Sequence, residues 1–147
     1  MYKRQDQDRW PWLEILNQKL IQESNNGNIT VLACSALKES YRQILNKELT
    51  SKISWIFLNG DYDLIYERMQ AREHFMSPEL LQAQFSDLEL PTYGIKVDVV
   101  LSPQEIINKI IRQMDNKADI GLIGLGVMGK SLSRNIANNG YLSLIHI

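Results

Sequence analysis

Cysteine, net charge and long apolar runs are all scarce in this sequence. Cys34 is the one cysteine among 147 residues, which excludes an internal disulfide and a cysteine-based zinc cluster. Sixteen Lys and Arg stand against 17 Asp and Glu, a formal net charge of −1. Nothing in that balance would draw nucleic acid or an anionic membrane surface. No apolar stretch is long enough to cross a bilayer, and no N-terminal segment has the charged-then-apolar build of a signal peptide. The expectation is a protein of a reducing, cytoplasmic compartment, without a nucleic-acid or membrane partner. What is present, 44% hydrophobic and 22% charged residues, is the composition of one ordinary globular domain.

Apolar periodicity then divides the chain. The segment DRWPWLEILNQKLIQESNN reads as a helix, with Pro11 in its first turn and Trp12, Ile15, Leu16 and Leu20 on the buried face. Ile29–Ala33 is a continuous, β-branched apolar run, the pattern of a strand buried on both faces. ALKESYRQILNKEL follows as a helix with Leu37, Tyr41, Ile44 and Leu45 inward. ISWIFLNGD is a second strand, stopped at Asn59-Gly60. DYDLIYERMQARE and SPELLQAQFSDLEL are helices, the latter with Ser77 as N-cap and Pro78 at its first position. IKVDVVLS is a third strand, and SPQEIINKIIRQM a helix opened by a capping box, Ser102 to Glu105. ADIGLI begins one more strand after the short hinge 115–117. Strands alternating with helices predict an α/β fold with a parallel sheet, whose ligands gather at the strands' carboxyl ends.

The ordered segments DQDRWPWL, CSALKESYRQIL, FLNGDYDLIYERMQAR, HFM, LLQAQF and VDV resemble the gluconokinase family over residues 6–114. The resemblance implies a parallel-sheet, P-loop kinase-like fold of the adenylate and shikimate kinase type. It also implies transfer of the γ-phosphoryl group of ATP, with Mg, to gluconate, giving 6-phosphogluconate, and allows a homodimer of the intact protein. Within it, Lys38 and Arg42 border the substrate region, and Asp8 and Arg9 either orient substrate or cap the first helix. Arg68 and Arg72 enter the ATP lid, and His74 is a lid or packing residue. No complete catalytic set and no metal ligands are assigned. A strand and a G-x-x-x-x-G-K-[ST] loop, which cradle phosphates in such kinases, are absent ahead of Asp6. The sheet is therefore expected to lack its central strand, the unit to be marginally stable, and this chain to have no kinase activity.

The turn Gly124-Leu125-Gly126-Val127-Met128-Gly129 follows a strand and precedes the helical pattern GKSLSRNIANN. In that setting G-x-G-x-x-G is a dinucleotide fingerprint: its glycines allow the tight turn, the approach of pyrophosphate and close helix–strand packing. Residues 118–141 resemble the opening of 6-phosphogluconate dehydrogenase, which implies NADP or NAD as cofactor. That enzyme consumes the kinase's product, so a fusion of consecutive steps is coherent. Two alternatives stand: a non-catalytic interaction protein with a P-loop-less kinase fold, and a kinase joined to another 3-hydroxyacid dehydrogenase. The terminal stretches 1–5 and 142–147, MYKRQ and LSLIHI, match translations of a sequencing-library adapter and are expected to contribute nothing to the fold.

Overall fold

The computed structural model describes residues 6–49, 53–71, 78–114, 119–123 and 142–145. Ten elements follow in the order α1 (Asp6–Asn25), β1 (Thr30–Cys34), α2 (Glu39–Asn46), β2 (Ile53–Asn59), α3 (Tyr62–Gln70), α4 (Pro78–Asp87), β3 (Ile95–Asp98), α5 (Pro103–Gln113), β4 (Asp119–Ile123) and β5 (Leu142–Ile145). The five strands form one parallel sheet in the order β3-β2-β4-β1-β5.

Alternation along the strands sorts the core into two layers. Val31 and Ala33 of β1, Ile56 and Leu58 of β2, and Val97 of β3 pack with Ile106, Ile107 and Ile110 of α5. Leu32, Cys34 and Phe57, the intervening residues, pack with Leu13 and Leu16 of α1 and Tyr41 and Leu45 of α2. A smaller cluster of Leu37, Ile65 and Leu81 joins α3 and α4 beyond the strand ends. The sheet is thus covered on both faces, as a parallel sheet requires.

Two expectations for α1 are corrected. Pro11 lies inside the helix, which begins at Asp6; at the sixth position only one early ladder bond is forfeited. Ile15 is 68% exposed, and Leu13, 1% exposed, takes its place against the sheet. The inward stripe therefore runs Leu13, Leu16 and Leu20, with Trp12 at its margin. Asn17 sits within this buried stripe because its Nδ2 donates to Leu45 O at 2.9 Å and Lys47 O at 2.8 Å. It thereby satisfies carbonyls at the end of α2 that the helix itself cannot.

The largest difference from expectation is at the sheet's centre. The sheet does not lack its middle strand: β4 lies there, pairing with β1 on one side and β2 on the other. Leu142–Ile145, expected to stay outside the fold, pairs in parallel with β1 as an edge strand. The helix expected over GKSLSRNIANN lies outside the described residues.

Local signals hold elsewhere. Ser102 and Glu105 form the reciprocal capping box with Pro103 at the first helical position, and these bonds hold the Glu105 carboxyl below its usual range. Asp61 caps α3 by accepting from Leu64 N at 2.8 Å. Gly94, with φ +82°, leads into β3 against Trp55 of β2; a Cβ there would lie 2.5 Å from Trp55 O. We expect Gly94→Ala to destabilise the protein by about 2 kcal/mol or more, combining left-handed strain with that collision. Asn17→Ala is expected to cost about 1–3 kcal/mol by orphaning buried carbonyls. Denaturant unfolding of both variants measures each value.

Candidate functional site

The carboxyl ends of β1, β4 and β2 lie side by side: Cys34 is in register with Ile123, and Ile123 with Phe57. The chain leaves β1 through Ser35-Ala36-Leu37-Lys38 and turns into α2. Ala36 has φ +21°, at the margin of the left-handed region. Lys38 occupies the N-cap position without a side-chain cap. Instead, the Glu89 carboxylate, 50 residues away, accepts from Glu39 N at 2.6 Å and serves the helix terminus from outside.

Arg42 holds this turn in place. It is 2% exposed, and its guanidinium is engaged on every nitrogen. Nη1 donates to Ala36 O at 3.0 Å and Leu37 O at 3.2 Å. Nη2 donates to Glu89 O at 3.0 Å. Nε lies 2.9 Å from Glu39 Oε2 and 3.2 Å from Tyr93 Oη. Tyr93 Oη in turn donates to Glu39 Oε2 at 2.9 Å, while its ring meets Trp55 edge-on. Burial, then the Glu39 hydrogen bond, push the Tyr93 phenol upward. A fork of fixed donors is what makes arginine suit such a corner. With its donors spent on these partners, Arg42 braces the turn that carries Lys38.

Arg9 and Lys38 are placed differently. Both are half-buried, and both cations lie over the Tyr41 ring, Arg9 Cζ at 5.7 Å and Lys38 Nζ at 5.9 Å from its centroid. These distances are within the range of cation–π attraction. Both charges thus lie close to one ring of α2, and Arg9 is near enough to Cys34, the last residue of β1, to act on its thiol. Burial raises the Cys34 thiol to about 11, a rise that the charge of Arg9 opposes. Cys34 is thus a buried, protonated packing residue rather than a nucleophile. Asp8 is exposed in the first turn of α1; the helix starts ahead of it, so it is not the N-cap. Arg68 Nη1 donates to Val99 O at 2.7 Å, tying the end of α3 to the segment after β3. Arg72, His74, Ser77 and Gly124, Leu125, Gly126, Val127, Met128 and Gly129 lie outside the described residues. Among the described residues, no three His, Cys, Asp or Glu side chains gather as a metal site.

Sequence reading missed the aromatic platform of Tyr41, because a buried tyrosine at helical spacing signals only core. It also missed the Glu39–Arg42–Tyr93–Glu89 corner, whose members are up to 54 residues apart. A third omission is legible in the sequence itself. The spacing G-x-x-x-x-G-K-[ST], absent ahead of α1, occurs as Gly124-Leu125-Gly126-Val127-Met128-Gly129-Lys130-Ser131. The dinucleotide fingerprint over the same glycines obscures it.

A doubly covered parallel sheet with cations at the carboxyl end of a strand is the arrangement of a P-loop kinase-like phosphotransferase. Comparison with known proteins narrows the class. A gluconokinase from Arabidopsis thaliana is 36% identical over 126 residues, covering 76% of this chain and 67% of that protein. A probable gluconokinase from Mus musculus is 44% identical over 129 residues, covering 74% of this chain and 70% of that protein. An unliganded sugar kinase from Janibacter sp. HTCC2649 superposes with a TM-score of 0.70 at 34% identity, over 75% of this chain and 65% of that one. Residues 119–145 match the family model of the NAD binding domain of 6-phosphogluconate dehydrogenase. The chain belongs to the gluconokinase family, and its last part carries that dehydrogenase-type signature.

Arg42→Lys keeps the charge but loses the fork, and is expected to cost about 2–4 kcal/mol in denaturant unfolding. The folded-state pKa of Tyr93 is raised above 10.0, so its contribution is complete below that value. It is lost as pH rises from there through the folded value. Stability is therefore expected to fall in the alkaline limb, and Tyr93→Phe to flatten that limb in unfolding measured against pH.

Proposed function

We propose that the kinase-family part serves ATP-dependent phosphorylation of gluconate. In that reaction a gluconate hydroxyl oxygen bonds to the γ-phosphorus, the bond from phosphorus to the ADP oxygen breaks, and the hydroxyl proton leaves. The observation that carries the reading is the convergence of Arg9 and Lys38 over Tyr41 at the carboxyl end of β1, in a chain of this family. Two cations on a rigid aromatic platform suit the carboxylate of an aldonic acid: they neutralise its charge and fix its orientation, and positioning supplies much of the catalysis in phosphoryl transfer. Arg42 supports this pair by fixing the turn that carries Lys38. Arg68 and Arg72 are assigned to the ATP side. Mg would offset the phosphate charge when bound.

For the glycine turn, Gly124 to Gly129 are assigned to the pyrophosphate of NADP or NAD, in keeping with the family match over 119–145. The position of β4 favours a second reading. Its strand occupies the centre of the kinase sheet, and the sequence that follows it also has phosphate-loop spacing through Lys130 and Ser131. In that reading the turn takes the β- and γ-phosphates of ATP, with Lys130 as their cation.

Both assignments are measurable by calorimetric titration of the 147-residue chain. Lys38→Ala is expected to weaken gluconate binding about tenfold, roughly the 1.4 kcal/mol of one charge-assisted contact. Unchanged affinity would remove Lys38 from the site. Lys130→Ala separates the two readings of the turn: loss of ATP binding with dinucleotide binding retained supports the phosphate loop, and dinucleotide and ATP binding both unchanged supports the fingerprint.

A further inference from the structure

Lys38 stands where local stability disfavours it. It is the N-cap residue of α2, with extended backbone at φ −100° and ψ 149° and no side-chain cap. A helix N-terminus carries partial positive charge, so a cation is unwelcome there. An ammonium group also has no acceptor to offer the first N–H groups, which serine, threonine, aspartate or asparagine would satisfy. A local rule broken at a residue assigned to the substrate calls for compensation from another part of the chain.

Glu89 supplies it. All of its polar groups meet residues around Lys38. Its carboxylate Oε2 accepts at 2.6 Å from Glu39 N, the first N–H inside α2. Its own N–H donates to Leu37 O at 2.9 Å, and its carbonyl accepts from Arg42 Nη2 at 3.0 Å. Residues 37 and 39 are thus both fixed to residue 89, with Lys38 between them. The Lys38 carbonyl accepts from Tyr41 N at 3.1 Å and Arg42 N at 3.3 Å, so the first turn of α2 sets the direction in which the lysine leaves the backbone. Apolar contacts keep the end of α4 beside this turn: Leu88 packs on the cluster that contains Tyr41, and Leu37 packs with Leu81. Two of the three Glu89 bonds are backbone bonds that any residue would make. The carboxylate is the part that its identity adds.

We propose that Glu89 is the positioning residue of Lys38: its carboxylate caps α2 from outside the helix and thereby holds the lysine over the Tyr41 ring, the place from which it reaches the acceptor carboxylate. The effect on acceptor binding rests on the reading of Lys38 as a contact to gluconate. It differs in sign from a simple charge effect. Glu89 is an anion, and its loss would tighten binding of another anion if charge alone mattered. Loss of positioning weakens that binding.

Calorimetric titration and NMR of the full chain test this with two variants. Glu89→Ala removes both acceptor and charge; Glu89→Gln removes only the charge, because its amide oxygen still accepts from Glu39 N. Glu89→Ala is expected to weaken gluconate binding about fivefold, and Glu89→Gln to stay within about twofold of the unsubstituted chain. In a Lys38→Ala background, Glu89→Ala is expected to add less than about twofold, since its effect passes through the lysine. Equal affinities in the two Glu89 variants, undiminished affinity in Glu89→Ala, or full additivity with Lys38→Ala overturns the proposal. The NMR reading needs no gluconate. Protons over an aromatic face resonate upfield, so the ε-methylene of Lys38 is expected upfield of an exposed lysine, to stay there in Glu89→Gln and to lose most of that displacement in Glu89→Ala. No displacement in the unsubstituted chain, or the same displacement in both variants, overturns the positioning role. If Lys38→Ala leaves gluconate affinity unchanged while the displacement still follows Glu89, the acceptor reading fails and the positioning of Lys38 stands.

Discussion

A strand buried within a parallel sheet must have both backbone edges paired, and that requirement governs this molecule. β1 and β2 supply most of the apolar side chains on which α1, α2 and α5 rest. Neither strand has the other as a partner, so the helical layers depend on β4 joining them. The chain thus builds its centre from residues far along its length, after the helices that cover it. Such an order places long-range closure ahead of most native contacts and makes folding slow relative to a helical protein of equal size.

The carboxyl edge of the same sheet carries two different arrangements of basic residues. Arg42, Glu39, Glu89 and Tyr93 satisfy one another and the carbonyls of the turn after β1. Arg9 and Lys38 both lie over the Tyr41 ring. Two basic residues four positions apart on one segment thereby have different work. Lys38 precedes the helix and lies over the Tyr41 ring, whereas Arg42, one turn in, donates back to the carbonyls of Ala36 and Leu37.

Much of this was legible in the sequence. The alternation of strand and helix, the inward residues Leu37, Tyr41 and Leu45, and the Ser102–Glu105 box all follow from periodicity and capping chemistry, which act over a few residues. Ile15 illustrates the limit: it satisfies helical spacing as well as Leu13 does, and only the angle at which α1 meets the sheet decides between them. The family resemblance located Arg42 near the substrate region, but its partners Glu89 and Tyr93 come from a distant segment that no local pattern announces. The filled centre of the sheet was the largest departure from expectation. Strand order is a property of the whole sheet, and the strand that fills the centre stands in sequence beyond the unit it completes. The glycine turn shows a different limit, since one string of residues meets two motif definitions and spacing alone cannot rank them.

The enclosed arginine has a consequence for how this protein can change. Because residues 36, 37, 39, 89 and 93 are all bound to one guanidinium or to its partners, they form a fixed mount. Lys38 belongs to that mount through its backbone carbonyl, which accepts from Tyr41 N and Arg42 N, while its side chain lies over the Tyr41 ring. In the proposed reading of Lys38 as an acceptor contact, replacement at position 38 alters selectivity while the architecture beneath it stays put, so that selectivity and foldability are free to evolve on separate residues of a single helical turn.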